Sequence, residues 1–574
     1  METKYTSEKN TQILISLMKS HGVRKIVVSP GATNVSFVAS VQTDPFFELF
    51  SAVDERSAAY MACGLAAETG EAVALSCTGA TASRNYMPAL TEAFYRKLPI
   101  LAITSSQNVA RIGHYVAQVI DRTVVPNDVA KFSLQLPTVR SSEDEWAAVI
   151  GVNRALLELF HHGAGPVHIN LATTYSNDFS VSELPVFPKI ERFDNHSQLP
   201  PLDAGKVAVF VGAHEAFSKK LTQAIDRFCS CHNAVVLCDQ TSNYRGKYRV
   251  LGNILTNQSA NEGISAFDVM IHIGSVSGAY MSVNPKAVWR VNPDGEIRDP
   301  FKKLQFVFEM SELDFFESYA TGEPSDDGLL NLCRENERRI RAKIPELPFS
   351  NIWVASQTAG VLPKDSVLHL GILNTLRSWN FFDTPKSVRV YANTGGFGID
   401  GCLSTLIGAS LAHPDTLYFG VMGDLAFFYD MNALGNRYLA SNVRIMIVNN
   451  GIGTEFKNYN HRVAAFGDSA NAFMAAGGHF GQKSPALIRD YAQDLGCRYL
   501  CASNKQEYLA AMQEWITPEK QKMPIVFELF TQDSDESQSL FLMNHIEEKR
   551  IRRIVRRVFG EKGVKWLKRI LKRN

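Results

Sequence analysis

Residues 422–455 read MGDLAFFYDMNALGNRYLASNVRIMIVNNGIGTE. One apolar run, 417–422, leads into the pair Gly423-Asp424, and a second, 443–448, leads into Asn449-Asn450. Both runs have the length and composition of buried strands, and the stretch between them suits a helix over 427–439. That order predicts adjacent parallel strands of an α/β sheet, with both polar pairs at the C-terminal ends where such sheets bind ligands. A small hard cation takes near-octahedral oxygen ligands, commonly one or two from protein and others from phosphate. Asp424 and Asn450, 26 positions apart, are candidates for that role. Taken alone, the two pairs are also ordinary turn formers, so the rest of the chain has to decide.

A chain of 574 residues has material for three or four domains with large cores. Its 45% hydrophobic and 20% charged content is that of an ordinary globular protein. A net charge of +1 gives no overall electrostatic case for nucleic acid. The opening METKYTSEKN is polar and carries no secretory signal pattern. No apolar run reaches the ~18 residues of a spanning helix. Nine cysteines are scattered, and the close pair Cys229 and Cys231 has no second pair at zinc-like spacing. Buried or free thiols in a reducing, cytoplasmic setting are expected.

Strand-like runs at 25–28, 47–53, 72–76, 100–104 and 167–171 alternate with helical patterns at 7–21, 57–69, 85–95 and 145–160. They predict a first domain over 1–185. A central domain over 186–345 has strands at 207–211, 235–238 and 269–273, with two more expected at 288–291 and 306–308. A third, over 346–545, has strands at 367–370 and 388–392, then the segments quoted above. The expected fold class is α/β, with three doubly wound parallel-sheet domains and a basic helical tail at 546–574. Gly212 ends its strand without a G-x-G-x-x-G spacing, so the central domain reads as structural and FAD is not expected.

The run 53–104, VDERSAAYMACGLAAETGEAVALSCTGATASRNYMPALTEAFYRKLPILAIT, resembles the pyrimidine-binding domain of thiamin-diphosphate (ThDP) enzymes. The run 397–434, FGIDGCLSTLIGASLAHPDTLYFGVMGDLAFFYDMNAL, resembles their diphosphate-binding domain. The resemblance implies that Glu55 hydrogen-bonds the aminopyrimidine N1′ of the cofactor and favours the imino tautomer that takes the thiazolium C2 proton. It implies that Gln118 lies beside the cofactor, that Gly31, Thr78 and Gly398 contact it, and that Ile399 props it into a bent shape. Asp424 and Asn450 become side-chain ligands of Mg²⁺, with the Ile452 carbonyl as a third. Gly423, Leu425 and Ala426 start a helix whose N–H groups face the diphosphate. The cofactor would lie between two subunits, so a dimer is the minimum and a tetramer is compatible.

Within these enzymes the motifs look most like the menaquinone-pathway SEPHCHC synthases, which join 2-oxoglutarate to isochorismate. Three arginines of that family are replaced here: Thr33 stands in the first loop, Gln107 after the fourth strand, and Thr394 before Gly395-Gly396. Losing charge-assisted bonds costs a few kcal/mol each, so the relatives' tricarboxylate chemistry is not expected to carry over. Thr33, Asn34, Gln107, His114 and Thr394 instead form a neutral candidate substrate set, suited to a hydroxylated carbonyl acceptor. His114 is similar to the histidines of keto-acid decarboxylases, but Tyr115 stands where their second histidine would be. Arg84, Arg111 and Arg122 are further candidates for a 2-oxo acid carboxylate.

The expected activity is decarboxylation of a 2-oxo acid, followed by protonation or addition to a second carbonyl. The alternatives are a SEPHCHC-type ligase and a non-catalytic scaffold. The last stretch, 549–574, carries twelve Lys/Arg against one acid. Ile551, Ile554, Val555 and Val558 share a helical face, and Trp566 sits on a second apolar face. That pattern suits the surface of an anionic membrane or an acidic face of the protein's own body.

Overall fold

The computed structural model describes residues 3–258 and 264–547. Most of the tail, from residue 548, lies outside the described residues. The chain divides into two compact units: residues to His196 with Gly295–Val307, and Ser197–Asp294 with the described residues from Phe308.

The first unit is built on a parallel sheet with strands in the order Glu48–Ser51, Lys25–Val28, Val73–Cys77, Ile100–Ser106, Val167–Ala172 and Phe132–Leu136. The three central strands are buried along their whole length, as their near-continuous apolar runs require. Helices cover both faces. On one side Ile13, Leu14 and Leu17 pack with Val152 and Leu156. On the other, Ala58, Ala59, Ala62 and Ala66 bring the helix Glu55–Thr69 close to the strands. That helix starts where the Asp54 carboxylate accepts the Ser57 N–H at 2.7 Å and stops at Gly70, whose φ is +69°. The helix expected over 85–95 is two pieces, Thr81–Asn85 and Met87–Arg96, with Pro88 opening the second.

The second unit carries two sheets. One includes parallel strands in the order Arg249–Leu251, Val235–Cys238, Val207–Val211, Ala266–Ile273 and Asn284–Val291. The other runs Arg389–Tyr391, Val367–Leu370, Tyr418–Gly423, Val443–Asn449, Ile525–Phe530 and Arg498–Ala502, parallel throughout. Numbered along the chain within each sheet, the first and third share one strand order, 2-1-3-4-6-5. The two sheets of the second unit are tied by buried polar contacts. The Asn243 amide donates to the Val390 carbonyl and accepts its N–H, both at 2.9 Å, and Gln240 donates its N–H to Asn380 Oδ1 at 2.9 Å.

One boundary differs from expectation. The helix after Gly423 spans only Asp424–Tyr429, followed by a 3-10 turn at Met431–Gly435. The reason lies in Asp430. Its carboxylate accepts the Ser404 N–H and hydroxyl, both at 2.6 Å, which draws the chain out of helical register. All nine cysteines are free.

Candidate active site

The register of the third sheet pairs Gly423 with Val448 on adjacent parallel strands. Asp424 and Asn450 therefore leave neighbouring strand ends side by side. Asp424 is 4% exposed, and its Oδ2 accepts the Gly451 N–H at 2.8 Å. Burial pushes this carboxyl up to about 6, while hydrogen bonds from Gly451 and Leu425 and the charge of Lys483 pull the other way. Asn450 is half-buried, and its Oδ1 accepts the Ile452 N–H at 3.4 Å. Gly451 makes the turn between them with φ +74°. The donor set is thus a carboxylate, a carboxamide and a backbone carbonyl, the hard oxygens a Mg²⁺ ion takes. A buried carboxyl raised in this way also gains most from a cation. These residues fit a metal and a diphosphate. Beside them, a Cβ placed on Gly423 would meet no atom within 4 Å, so the approach to Leu425 and Ala426 is open.

Lys483 is a neighbour that sequence reasoning missed. Its side chain lies across Gly451, and its ammonium donates to the Thr531 carbonyl at 2.5 Å and to Gln532 Oε1 at 3.1 Å. Burial lowers its pKa, against the charges of Asp533 and Asp424. Behind Asn449 lies Glu528, 0% exposed, which accepts the Asn449 amide at 2.6 Å and the Tyr499 hydroxyl at 2.7 Å. Glu536 is likewise buried and pushed up to about 7 by burial; it accepts the Asn351 N–H and the Thr531 hydroxyl, both at 2.9 Å. None of these three has a local spacing that announces it.

On the same sheet, Thr394 is buried, and its N–H donates to the Ala392 carbonyl at 2.8 Å. A Cβ on Gly398 would run into Asp400 Oδ1, and Ile399 packs half-buried on the core that holds Phe427.

In the first unit, Glu55 is the first residue of its helix, half-buried, and accepts from the Asn85 amide at 3.4 Å. Burial, with smaller effects that include the Glu55 charge, raises the Cys77 thiol to about 12 and the Tyr86 hydroxyl well above its usual value. Around the next strand ends the polar groups close on one another. The Thr33 hydroxyl, 2% exposed, meets the Thr78 hydroxyl at 2.7 Å, donates to the Ser105 carbonyl at 3.0 Å, and accepts the Gly79 N–H at 3.0 Å. A Cβ on Gly31 would run into Thr78, so only glycine fits there. Asn34 is 1% exposed and donates to the Ser29 carbonyl at 3.0 Å, leaving its Oδ1 unpartnered.

Gln118 is exposed with φ +62°, and its carbonyl sits 3.0 Å from where a Cβ on Gly79 would be. The structure thus gathers Gly31, Thr33, Thr78 and the Gln118 backbone. His114 is exposed on the same loop, without a side-chain bond among the described residues. Gln107 donates to the Tyr175 hydroxyl at 3.2 Å and accepts from Arg111. Arg122 is 3% exposed and donates to the Ser105 carbonyl at 3.2 Å, with its Nε and Nη1 unpartnered. Arg84 donates to the Asp121 carbonyl.

Two domain families match the chain: the thiamine pyrophosphate enzyme N-terminal TPP binding domain over residues 9–125, and the C-terminal TPP binding domain over 374–529. The 2-succinyl-5-enolpyruvyl-6-hydroxy-3-cyclohexene-1-carboxylate synthase of Bacteroides thetaiotaomicron is 30% identical over 555 residues, covering 93% of this chain and 98% of that one. The synthase of the same name from Phocaeicola vulgatus is 31% identical over 552 residues, covering 92% and 96%. A Rhodococcus jostii thiamine diphosphate-dependent 4-hydroxybenzoylformate decarboxylase aligns over 91% of this chain and 99% of its own, at 16% identity. The TM-score of that alignment is 0.39. With the thiamine pyrophosphate domains at both ends and full-length relatives at this identity, the chain belongs to the thiamin-diphosphate-dependent decarboxylases and carboligases, in the family of the 2-succinyl-5-enolpyruvyl-6-hydroxy-3-cyclohexene-1-carboxylate synthases.

Proposed function

We propose that the protein is a Mg²⁺- and ThDP-dependent enzyme that decarboxylates a 2-oxo acid and transfers the remaining fragment to a proton or to a second carbonyl. The observation that carries this is the buried Asp424 carboxylate beside Asn450 and Ile452 on adjoining strand ends. Bound there, thiamin diphosphate supplies a nucleophilic carbon and an electron sink for the loss of CO₂. Asp424, Asn450 and the Ile452 carbonyl are the residues that would hold a Mg²⁺ ion against the diphosphate. Glu55 would hold or move a proton at its carboxylate toward the aminopyrimidine, and Ile399 would support the cofactor's position. Asp424 and Glu55 would come from different copies of the chain, so the proposed working unit is a homodimer at least, with a tetramer compatible.

Thr33, Gln107 and Thr394 replace charge with neutral groups, which supports an acceptor less anionic than that of the synthases. A second reading, the synthases' own reaction, draws support from Arg111, which is hydrogen-bonded to Gln107 and so brings a guanidinium to one of the three places. The tail would hold the enzyme at an anionic membrane; no helix among the described residues is long and apolar enough to cross one. The test is ThDP-dependent CO₂ release from a panel of 2-oxo acids that includes 2-oxoglutarate, with Glu55→Gln as control. Release that needs Mg²⁺ and falls in the variant is the expected result. No cofactor binding and no release with any acid would overturn the proposal.

A further inference from the structure

A cavity of about 390 Å³ opens in the second unit between the middle and third sheets. That is within the range of small-molecule sites, roughly 300–1,000 Å³. Its lining differs from the usual apolar pocket. Asn253, Asn257, Asn380, Asn460 and Asn544 contribute to it, with Tyr280 and Tyr459. Asn257 and Asn380 are occupied internally. Asn257 donates to Asn253 Oδ1 at 2.6 Å and to the Tyr280 carbonyl at 2.8 Å, and Asn380 accepts from Gln240.

Others are left open. Asn544 donates its amide to the Tyr459 hydroxyl at 3.2 Å, but its buried Oδ1 has no partner. Asn253 is 3% exposed, and its amide nitrogen has none among the described residues. The Asn460 side chain and the Ser282 hydroxyl are also unpartnered there, both exposed at the rim.

The charge balance narrows the ligand. Among the described residues of the lining the basic groups are Arg377, held by both oxygens of Glu455 at 2.6 and 2.7 Å, and His545, whose Nδ1 lies 2.7 Å from the Phe541 carbonyl. A fork of this kind satisfies the guanidinium. An anion entering the cavity would have to compete with Glu455 for it. Unpaired amide and hydroxyl groups of both donor and acceptor kind call instead for a neutral ligand rich in hydroxyls. Phe381 and Leu540 add apolar wall for the C–H faces of such a molecule. Tyr459 and Asn460 of the lining, like Glu455, lie on the segment that leaves the strand Val443–Asn449 through Asn450 and Ile452, so one stretch of chain runs from the candidate metal-binding residues to this cavity.

We infer that this cavity is the acceptor subsite and that it takes a neutral, polyhydroxylated carbonyl compound of sugar type. The assignment rests on the catalytic reading above. Saturation-transfer NMR tests it on the full chain with ThDP and Mg²⁺, using D-xylose, D-glucose and D-glucuronate as probes. Both neutral sugars should receive saturation, glucuronate much less. Asn460→Ala/Ser282→Ala, which alters only exposed side chains, should weaken sugar binding about tenfold through two lost hydrogen bonds. Asn544→Ala serves as an independent variant with the same expected direction, and melting curves check that each variant is folded.

No sugar signal, equal signal in all variants, or glucuronate binding as well as glucose would overturn the subsite. CO₂ release without acceptor, measured on the same preparations, separates the two claims. Release with no sugar bound overturns the subsite alone. No release from any 2-oxo acid overturns the catalytic reading and the acceptor assignment with it.

Discussion

The first and third sheets share one strand order but finish their equivalent strands differently. In the first, the ends of the third and fourth strands are tied to each other: Thr33 joins Thr78, Gly79 and the Ser105 carbonyl in a buried knot. In the third, the equivalent ends present Asp424 and Asn450, and burial leaves the Asp424 carboxyl raised to about 6. One strand-end crevice is closed by neutral hydroxyls, and the other gathers hard oxygens, those of a buried carboxylate and a half-buried carboxamide. On the proposed reading the same topology would serve two tasks, holding a neutral ring and holding a charged metal–diphosphate group. Strand order fixes where a site lies, and the loop residues decide what charge it can carry.

The largest effect is expected where the closed side carries its one chemical group. Glu55→Gln should lower CO₂ release by about 10²–10⁴-fold, the usual span for a lost acid–base group. Cofactor affinity, measured by calorimetry, should change little, because the charge is held on the other sheet. A comparable loss of ThDP affinity would break the division of labour.

Next come substitutions in the knot. Thr33→Val should destabilise the protein by about 1–3 kcal/mol in urea unfolding, since the Gly79 N–H loses its buried acceptor. Gly31→Ala should cost a similar amount, about 1–3 kcal/mol, by overpacking against Thr78. Restoring an arginine at position 33 should therefore fail to recover a substrate contact, because the side chain there points into the knot.

A smaller effect separates the sheets by pH. Asp424 and Glu536 are raised to about 6 and about 7 from ordinary carboxyl values of 3.8 and 4.5. Between those limits these two carboxyls bind more protons folded than unfolded, so their own contribution to the stability of the metal- and cofactor-free protein should fall as pH rises from about 4 to 7, against the opposite contribution of His168 and His369, which burial lowers to about 3 and about 4. Unfolding of the wild type and Glu536→Gln at a series of pH values should show the stability difference between them change from about pH 4.5 to 7 as the Glu536 contribution is lost. Mg²⁺ with ThDP should remove the contribution of Asp424. Parallel profiles for the wild type and Glu536→Gln would contradict the burial argument.

Much of this was legible in the chain because the informative residues are local. Continuous apolar runs marked the central strands, and Gly423-Asp424 and Asn449-Asn450 marked two ends by spacing alone. The helix after Asp424 was read too long because Asp430 ends it through a bond to Ser404, a tertiary partner 26 positions earlier. Lys483, Glu528 and Glu536 stand well beyond Asn450 in the sequence and reach the third-sheet site only through folding. Thr33 was readable as a missing arginine, but the direction of its hydroxyl depends on Thr78 and Ser105, which only folding brings together. The paired state of Arg377 was hidden for the same reason, since Glu455 is 78 positions away.

The central claim is that the open end of the third sheet holds the cofactor through a metal. Calorimetric titration of ThDP into the wild type and Asp424→Asn, each with Mg²⁺ and with chelator, tests it most directly. The account predicts that Mg²⁺ tightens binding to the wild type and that Asp424→Asn loses more than about 100-fold of that gain, beyond the 10–100-fold typical of outer-shell partners. Equal affinity with and without Mg²⁺ in the wild type, or an Mg²⁺ effect undiminished in Asp424→Asn, would contradict it.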